Sequence, residues 1–133
     1  MINGSTPFNN VDPRQRACVE VFPKAIQANT RAIKNFISKK CLLMAVVKAD
    51  GYGHGLVTVA EAALAGGAEN LGVATLQEAI DLREAKIDCP IIVLGNLFNR
   101  KDLATSLQKD LMNQLYLKFF LFCLVAKLRL IDY

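Results

Sequence analysis

Three short apolar runs frame this chain: LLMAVVK at 42–48, LGVAT at 71–75 and IIVLG at 91–95. Uninterrupted runs of this length, bounded by polar or turn-forming residues, fit strands covered on both faces, as in a parallel sheet. Helix-length patterns lie between them. Leu56, Ala60, Ala63 and Leu64 fall on one helical face, and Gly66-Gly67 stops it. Thr75-Leu76-Gln77-Glu78 has the form of a capping box, which predicts a helix running to about Lys86. Pro90 introduces the third run, and a weaker helical pattern covers 100–109. Upstream, CVEVF (18–22) alternates as a half-buried strand does. Pro23 then suits the first turn of a helix with Ile26, Ile33, Phe36 and Ile37 on one face, ending near Ser38. A βαβαβα series calls for parallel strands joined by right-handed crossovers. Both an open doubly wound sheet and part of a barrel satisfy it. The 133 residues make one domain, short of the roughly 200 that a closed eight-stranded barrel needs.

Composition narrows the function classes. Apolar residues make up 53%, which excludes a disordered chain. The net charge is +4, and apart from Lys39-Lys40 and Arg100-Lys101 the basic residues are scattered among acids. Nucleic-acid faces concentrate their charge, so no nucleic-acid partner is expected. Cys18, Cys41, Cys89 and Cys123 form no C-x-x-C pair and His54 is the single histidine, so no metal site is expected. The cysteines sit in or beside apolar runs and read as small buried hydrophobes in a reducing compartment. Residues 1–16 read as a flexible polar leader without the apolar core of a secretory signal, so a cytoplasmic location is expected. From Asn113 the chain reads NQLYLKFFLFCLVAKLRLIDY. Its charge-free run, Phe119 to Ala126, falls far short of the roughly 20 residues that span a bilayer, and no membrane partner is expected.

The chemistry gathers at Lys48 and the residues after it. A lysine ending a buried strand stands where active sites of parallel α/β sheets form. Beside LLMAVV its ammonium is expected to be partly desolvated, which lowers its pKa and leaves a neutral amine able to form a Schiff base. A lysine snorkelling to water is the plainer reading of the same placement. The loop DGYGHG follows, with Gly51, Gly53 and Gly55 around Tyr52 and His54. Its G-x-G-x-G spacing meets neither nucleotide-binding fingerprint. No G-x-S-x-G elbow is present, so hydrolase chemistry is not expected, and His54 is expected to cap or pack against the next helix.

AVVKADGYGHG, residues 45–55, resembles the cofactor-lysine signature of the alanine racemase family, fold-type III pyridoxal-phosphate enzymes. The resemblance covers roughly 17–111 and includes CVEVF, LGVATLQEAIDLREAKI (71–87) and PIIVLG (90–95) in the family's order. It implies an α/β fold: part of a TIM-type (β/α)8 barrel, about its first three βα units, with parallel strands. CVEVF would then be an N-terminal strand belonging to a β-rich domain. It implies that Lys48 holds pyridoxal 5'-phosphate as a Schiff base and exchanges the Cα proton of alanine on the D side. Tyr52 resembles the tyrosine that binds the cofactor phosphate, and Val46 and Leu94 resemble apolar residues lining the cofactor. The implied activity is interconversion of L- and D-alanine, supplying D-alanine for peptidoglycan, in a homodimer whose second base is a tyrosine of the β-rich domain. Neither Tyr116 nor Tyr133 lies in a matching motif. Residues 112–133 read as a divergent apolar tail, the mark of a truncation or frameshift, and the chain is expected to be an inactive fragment. A single-domain pyridoxal-phosphate carrier and a non-functional partial barrel are the alternatives. Lys86 also departs from the family, which usually ends that helix with glycine.

Overall fold

The computed structural model describes residues 19–97 and 99–113. The leader, Cys18, Cys123 and residues from 114 onward, with Tyr116 and Tyr133, lie outside them. The elements are α1 (Pro23–Phe36), β1 (Met44–Val46), α2 (Lys48–Gly53), α3 (Leu56–Ala65), β2 (Asn70–Val73), α4 (Leu76–Glu84), β3 (Ile91–Val93), α5 (Arg100–Gln108) and β4 (Met112–Asn113). The strands form one parallel sheet in the order β1-β2-β3-β4. This is the βα succession of a partial barrel. The first two residues of the expected tail, Met112 and Asn113, pair with β3 as a fourth strand.

Register sorts the side chains onto two faces. Leu71 pairs with Ile91 and Val73 with Val93. All four are at most 1% exposed and pack with Val47, Leu56, Ala60, Ala79, Leu82, Ile87 and Leu111. Each such side chain, fully buried, contributes about 1.5–3 kcal/mol relative to exposure. The opposite face carries the row Val46, Gly72, Ile92 and Met112. Val46 and Ile92 are only half-buried. The expectation of strands covered on both faces is thus met on one face among the described residues. The inner face of a curved parallel sheet is covered only by strands from across a barrel.

The N-terminal region departs from expectation. Residues 19–22 are not in a strand, because an extended segment becomes a strand only through a hydrogen-bonded neighbour and the described residues provide none. In α1, Ile33 is 52% and Phe36 92% exposed, so they do not form the packing face. That face is Ile26, Gln27, Thr30, Lys34 and Ile37, all half-buried. It presses on the end of α3 where Gly66 has no side chain: a Cβ there would stand 2.6 Å from both the Gln27 carbonyl oxygen and Thr30 Cβ. Gln27 and Arg31 donate to the Ala65 carbonyl at 3.2 and 3.1 Å, satisfying an orphan acceptor of the helix end.

Three helices turn into the next strand by one device, the Schellman motif, in which a residue of positive φ closes two backbone bonds. After α3 the residue is Gly67 (φ 104), after α4 Lys86 (φ 64) and after α5 Asp110 (φ 51). The following N–H groups, of Ala68, Ile87 and Leu111, reach back to the carbonyls of Ala63, Leu82 and Ser106 at 3.0, 3.1 and 2.9 Å. Arg83 ties two of these turns together. Its guanidinium donates to the carbonyls of Ile87 (2.6 Å), Cys89 (2.9 Å), Lys109 (3.1 Å) and Asp110 (3.0 Å).

The cysteines are less buried than expected. Cys41 is exposed, in the turn before β1, and Cys89 is half-buried. Burial pushes the Cys89 thiol up, with the Arg83 charge opposing. Among the described residues, no helix is long and apolar enough to cross a membrane, and no cluster of His, Cys, Asp and Glu could hold a metal ion.

Candidate active site

β1 delivers the chain to the carboxyl edge of the sheet. The Val47 N–H still pairs with the Gly72 carbonyl at 2.8 Å, and the Val47 side chain is 1% exposed. Lys48 comes next. The expected loop is instead a left-handed helical turn: Ala49, Asp50, Gly51 and Tyr52 have φ of 53°, 53°, 61° and 56°. Left-handed backbone crowds Cβ against the carbonyl and costs roughly 1–2 kcal/mol per non-glycine residue. Such strain persists only where the surroundings hold it.

Three tethers hold it here. Glu78 Oε1 accepts the N–H groups of Ala49 (2.6 Å) and Asp50 (3.4 Å). Asp50 Oδ1 accepts the N–H of Leu56 at 2.7 Å, which caps α3. His54 Nδ1 lies 3.2 Å from the Gly51 carbonyl and 3.0 Å from that of Tyr52. Both partners are acceptors, so Nδ1 carries the proton and donates. His54 thus closes the turn behind it, rather than packing on the helix ahead. Gly51 is buried, and a Cβ there would lie 2.7 Å from Val59 Cγ2.

The same Glu78 carboxylate completes the expected capping box. Its Oε2 accepts from Ala74 (2.9 Å) and Thr75 (3.1 Å), while Thr75 Oγ1 accepts the Glu78 N–H at 3.2 Å. Burial pulls the Glu78 pKa upward, but the N–H groups of Thr75, Ala74, Ala49 and Asp50 outweigh it, and the net effect is a lowered pKa.

The four sequence-derived residues fall into two pairs. Lys48 and Tyr52 share the left-handed turn, and both are exposed, Tyr52 at 57%. The desolvation expected of Lys48 is therefore not supplied by the described residues, because the strand's burial ends at Val47. Val46 and Leu94 share the free sheet face around Gly72, where a Cβ would approach Leu94 Cδ1 and Val46 Cγ2 at 3.4 Å each. The Leu94 N–H pairs with the Val73 carbonyl at 2.8 Å, which fixes it just beyond β3. Sequence reasoning saw in Glu78 only a helix cap. No local signal marks its reach to a turn 29 residues earlier.

Parallel strands in chain order with helices between them, and a lysine and a phenol in the turn after β1, make a piece of a β/α-barrel. Residues 21–116 match the family model described as "Alanine racemase, N-terminal domain", and the chain belongs to this family. An alanine racemase of Prochlorococcus marinus is 67% identical over 112 residues, covering 84% of this chain and 29% of that protein. One from Nostoc is 57% identical over 81 residues, covering 61% of this chain and 21% of that protein. The crystal structure of alanine racemase from E. faecalis superposes with a TM-score of 0.66 at 39% identity, over 74% of this chain and 28% of that one. That from Bacillus anthracis, with bound L-Ala-P, superposes with a TM-score of 0.65 at 42% identity, over 68% and 23%. The chain thus spans less than a third of the length of these relatives.

Proposed function

We propose that this chain supplies the cofactor-lysine segment of an alanine racemase, a cytoplasmic isomerase that interconverts L- and D-alanine and provides D-alanine for peptidoglycan. The observation that carries this reading is Lys48 itself: a primary amine at a strand's carboxyl end, on a strained turn that three side chains hold in place. Pyridoxal 5'-phosphate fits the residues present. Its aldehyde needs an accessible amine, its phosphate a donor and its ring an apolar floor. Lys48 offers the amine, Tyr52 a hydroxyl in the same turn, and Val46 with Leu94 an apolar surface around a residue without a side chain. Bound there, the cofactor supplies an electron sink that makes the Cα proton of an amino acid removable.

The residues divide the remaining work. Lys48 Nζ would hold the cofactor and would serve as the base that takes or returns the Cα proton on the D-alanine face. Tyr52 would donate to the phosphate, and Val46 and Leu94 would exclude water from the ring. The second base belongs to the family's β-rich domain and its homodimer. Residues 17–111 are assigned to the barrel portion, which Met112 and Asn113 of β4 extend. Trapping the Schiff base with borohydride and mapping the labelled peptide tests the assignment, with label expected on Lys48. Label on another lysine, with Lys48 unmodified, overturns it. A polypeptide of these 133 residues is expected to racemise alanine negligibly, because working without one of two required bases costs several powers of ten in rate. Turnover near that of an intact racemase, in a sample free of host enzyme, would refute this.

A further inference from the structure

We propose, resting on the assignment of Lys48 above, that Glu78 is a positioning residue whose carboxylate clamps α2 to the start of α4 and so fixes where Lys48 and Tyr52 stand. A capping box needs one carboxylate oxygen, to take the N-cap N–H. Here Oε2 does that, for Thr75 and also Ala74. The second oxygen, not required by the cap, is directed at α2, with Ala49 N–H at 2.6 Å and Asp50 N–H at 3.4 Å. One side chain therefore joins the carboxyl ends of neighbouring strands β1 and β2.

The position of the bond matters for Lys48. The Ala49 N–H belongs to the peptide unit that starts at the Lys48 carbonyl. Fixing that plane fixes ψ of Lys48 and hence the direction in which its side chain leaves the backbone. Tyr52 is carried by the same turn, three residues beyond Ala49, so the clamp sets both groups together. An ionised carboxylate suits the task. It accepts charge-assisted bonds from four N–H groups and sits at a helix N-terminus, where negative charge is favoured. Ala49, Asp50 and Tyr52 hold unfavourable left-handed backbone, which relaxes unless something outside the turn pins it.

The full chain tests this with Glu78→Ala and Glu78→Gln. Asn99→Ala serves as control, because it removes the N-cap side chain of another helix, α5, where Asn99 Oδ1 accepts the Asp102 N–H at 2.8 Å. Two quantities are read under conditions where circular dichroism shows each variant folded. One is native-state exchange of the Ala49 amide. The other is the share of borohydride-trapped pyridoxal phosphate found on Lys48 relative to the other lysines. Loss of a bond to a charged group is expected to speed Ala49 exchange about tenfold or more in the Glu78 variants. The Lys48 share is expected to fall severalfold, with both quantities unchanged in Asn99→Ala. A merely structural role would lower stability without altering which lysine is labelled. The proposal is overturned if the Lys48 share in both Glu78 variants equals that of the control, whether or not Ala49 exchange changes. Wild-type label on a different lysine refutes the Lys48 assignment instead, and Ala49 exchange still decides whether Glu78 holds the turn.

Discussion

Lys86 occupies a backbone position built for glycine. Its φ is 64°, and it closes the turn after α4 with its own N–H on the Arg83 carbonyl at 3.0 Å and the next N–H on that of Leu82 at 3.1 Å. The equivalent position after α3 is Gly67. A Cβ in this conformation costs roughly 1–2 kcal/mol. Lys86→Gly removes that cost and returns about 0.4–1 kcal/mol through the greater freedom of glycine in the unfolded chain. The Lys86 side chain is exposed and forms no hydrogen bond or ion pair among the described residues, so nothing else is given up. The expected net gain is about 0.5–1 kcal/mol. In a urea titration followed by helical circular dichroism, that moves the midpoint upward by a few tenths of a molar. Lys86→Ala separates the causes, since it removes the lysine and keeps the Cβ. If the glycine midpoint lies at or below that of Lys86→Ala, the conformation is not what limits this turn, and the reasoning fails.

Other expectations follow from single contacts. Gly66→Ala places a methyl 2.6 Å from the Gln27 carbonyl oxygen and Thr30 Cβ, and should destabilise by about 1–3 kcal/mol in thermal or urea unfolding. A neutral or stabilising result would mean that α1 shifts freely over α3. Arg83→Met removes four bonds to carbonyls of two turns and should cost about 2–4 kcal/mol, with amide exchange at Ile87 and Leu111 accelerating together. Acceleration at one turn only would show that Arg83 does not couple them. Glu78 has a folded pKa below its unfolded value of 4.5, so the unfolded chain binds the extra proton and stability rises with pH. Its contribution is fully present above that unfolded value and is lost as pH falls through the folded pKa. Urea midpoints should therefore drop less steeply from neutral to acid pH in Glu78→Gln than in the wild type. Equal slopes would count against the four-donor arrangement.

The order of elements was legible because burial leaves a periodic trace. Apolar runs at 42–48, 71–75 and 91–95 became β1, β2 and β3, with bounds set by the residues that find a paired neighbour. Thr75 and Glu78 announced their capping box because it is made within four residues. Lys48 and Tyr52 stood out through the motif around them and their place after a strand, and the structure puts both on one turn. The exposure of Lys48, by contrast, depends on what else covers the strand end, which no local pattern encodes.

Local chemistry, then, was decided by the sequence: which runs form strands, where α4 caps, and which lysine follows β1. What the tertiary structure alone decided is how these pieces meet. The left-handed turn of α2 runs against the preference of Ala49, Asp50 and Tyr52, and is held by a carboxylate 29 residues away in the chain. The packing face of α1 was chosen by the gap at Gly66 rather than by its apolar stripe, leaving Ile33 and Phe36 in solvent. Arg83 reads as an ordinary helix-surface residue until folding brings four carbonyls around it. In each case the deciding partner is remote in sequence. Short-range periodicity reports the burial and backbone preferences of neighbours, whereas a hydrogen bond or a close contact between distant segments exists only once the sheet has brought them together.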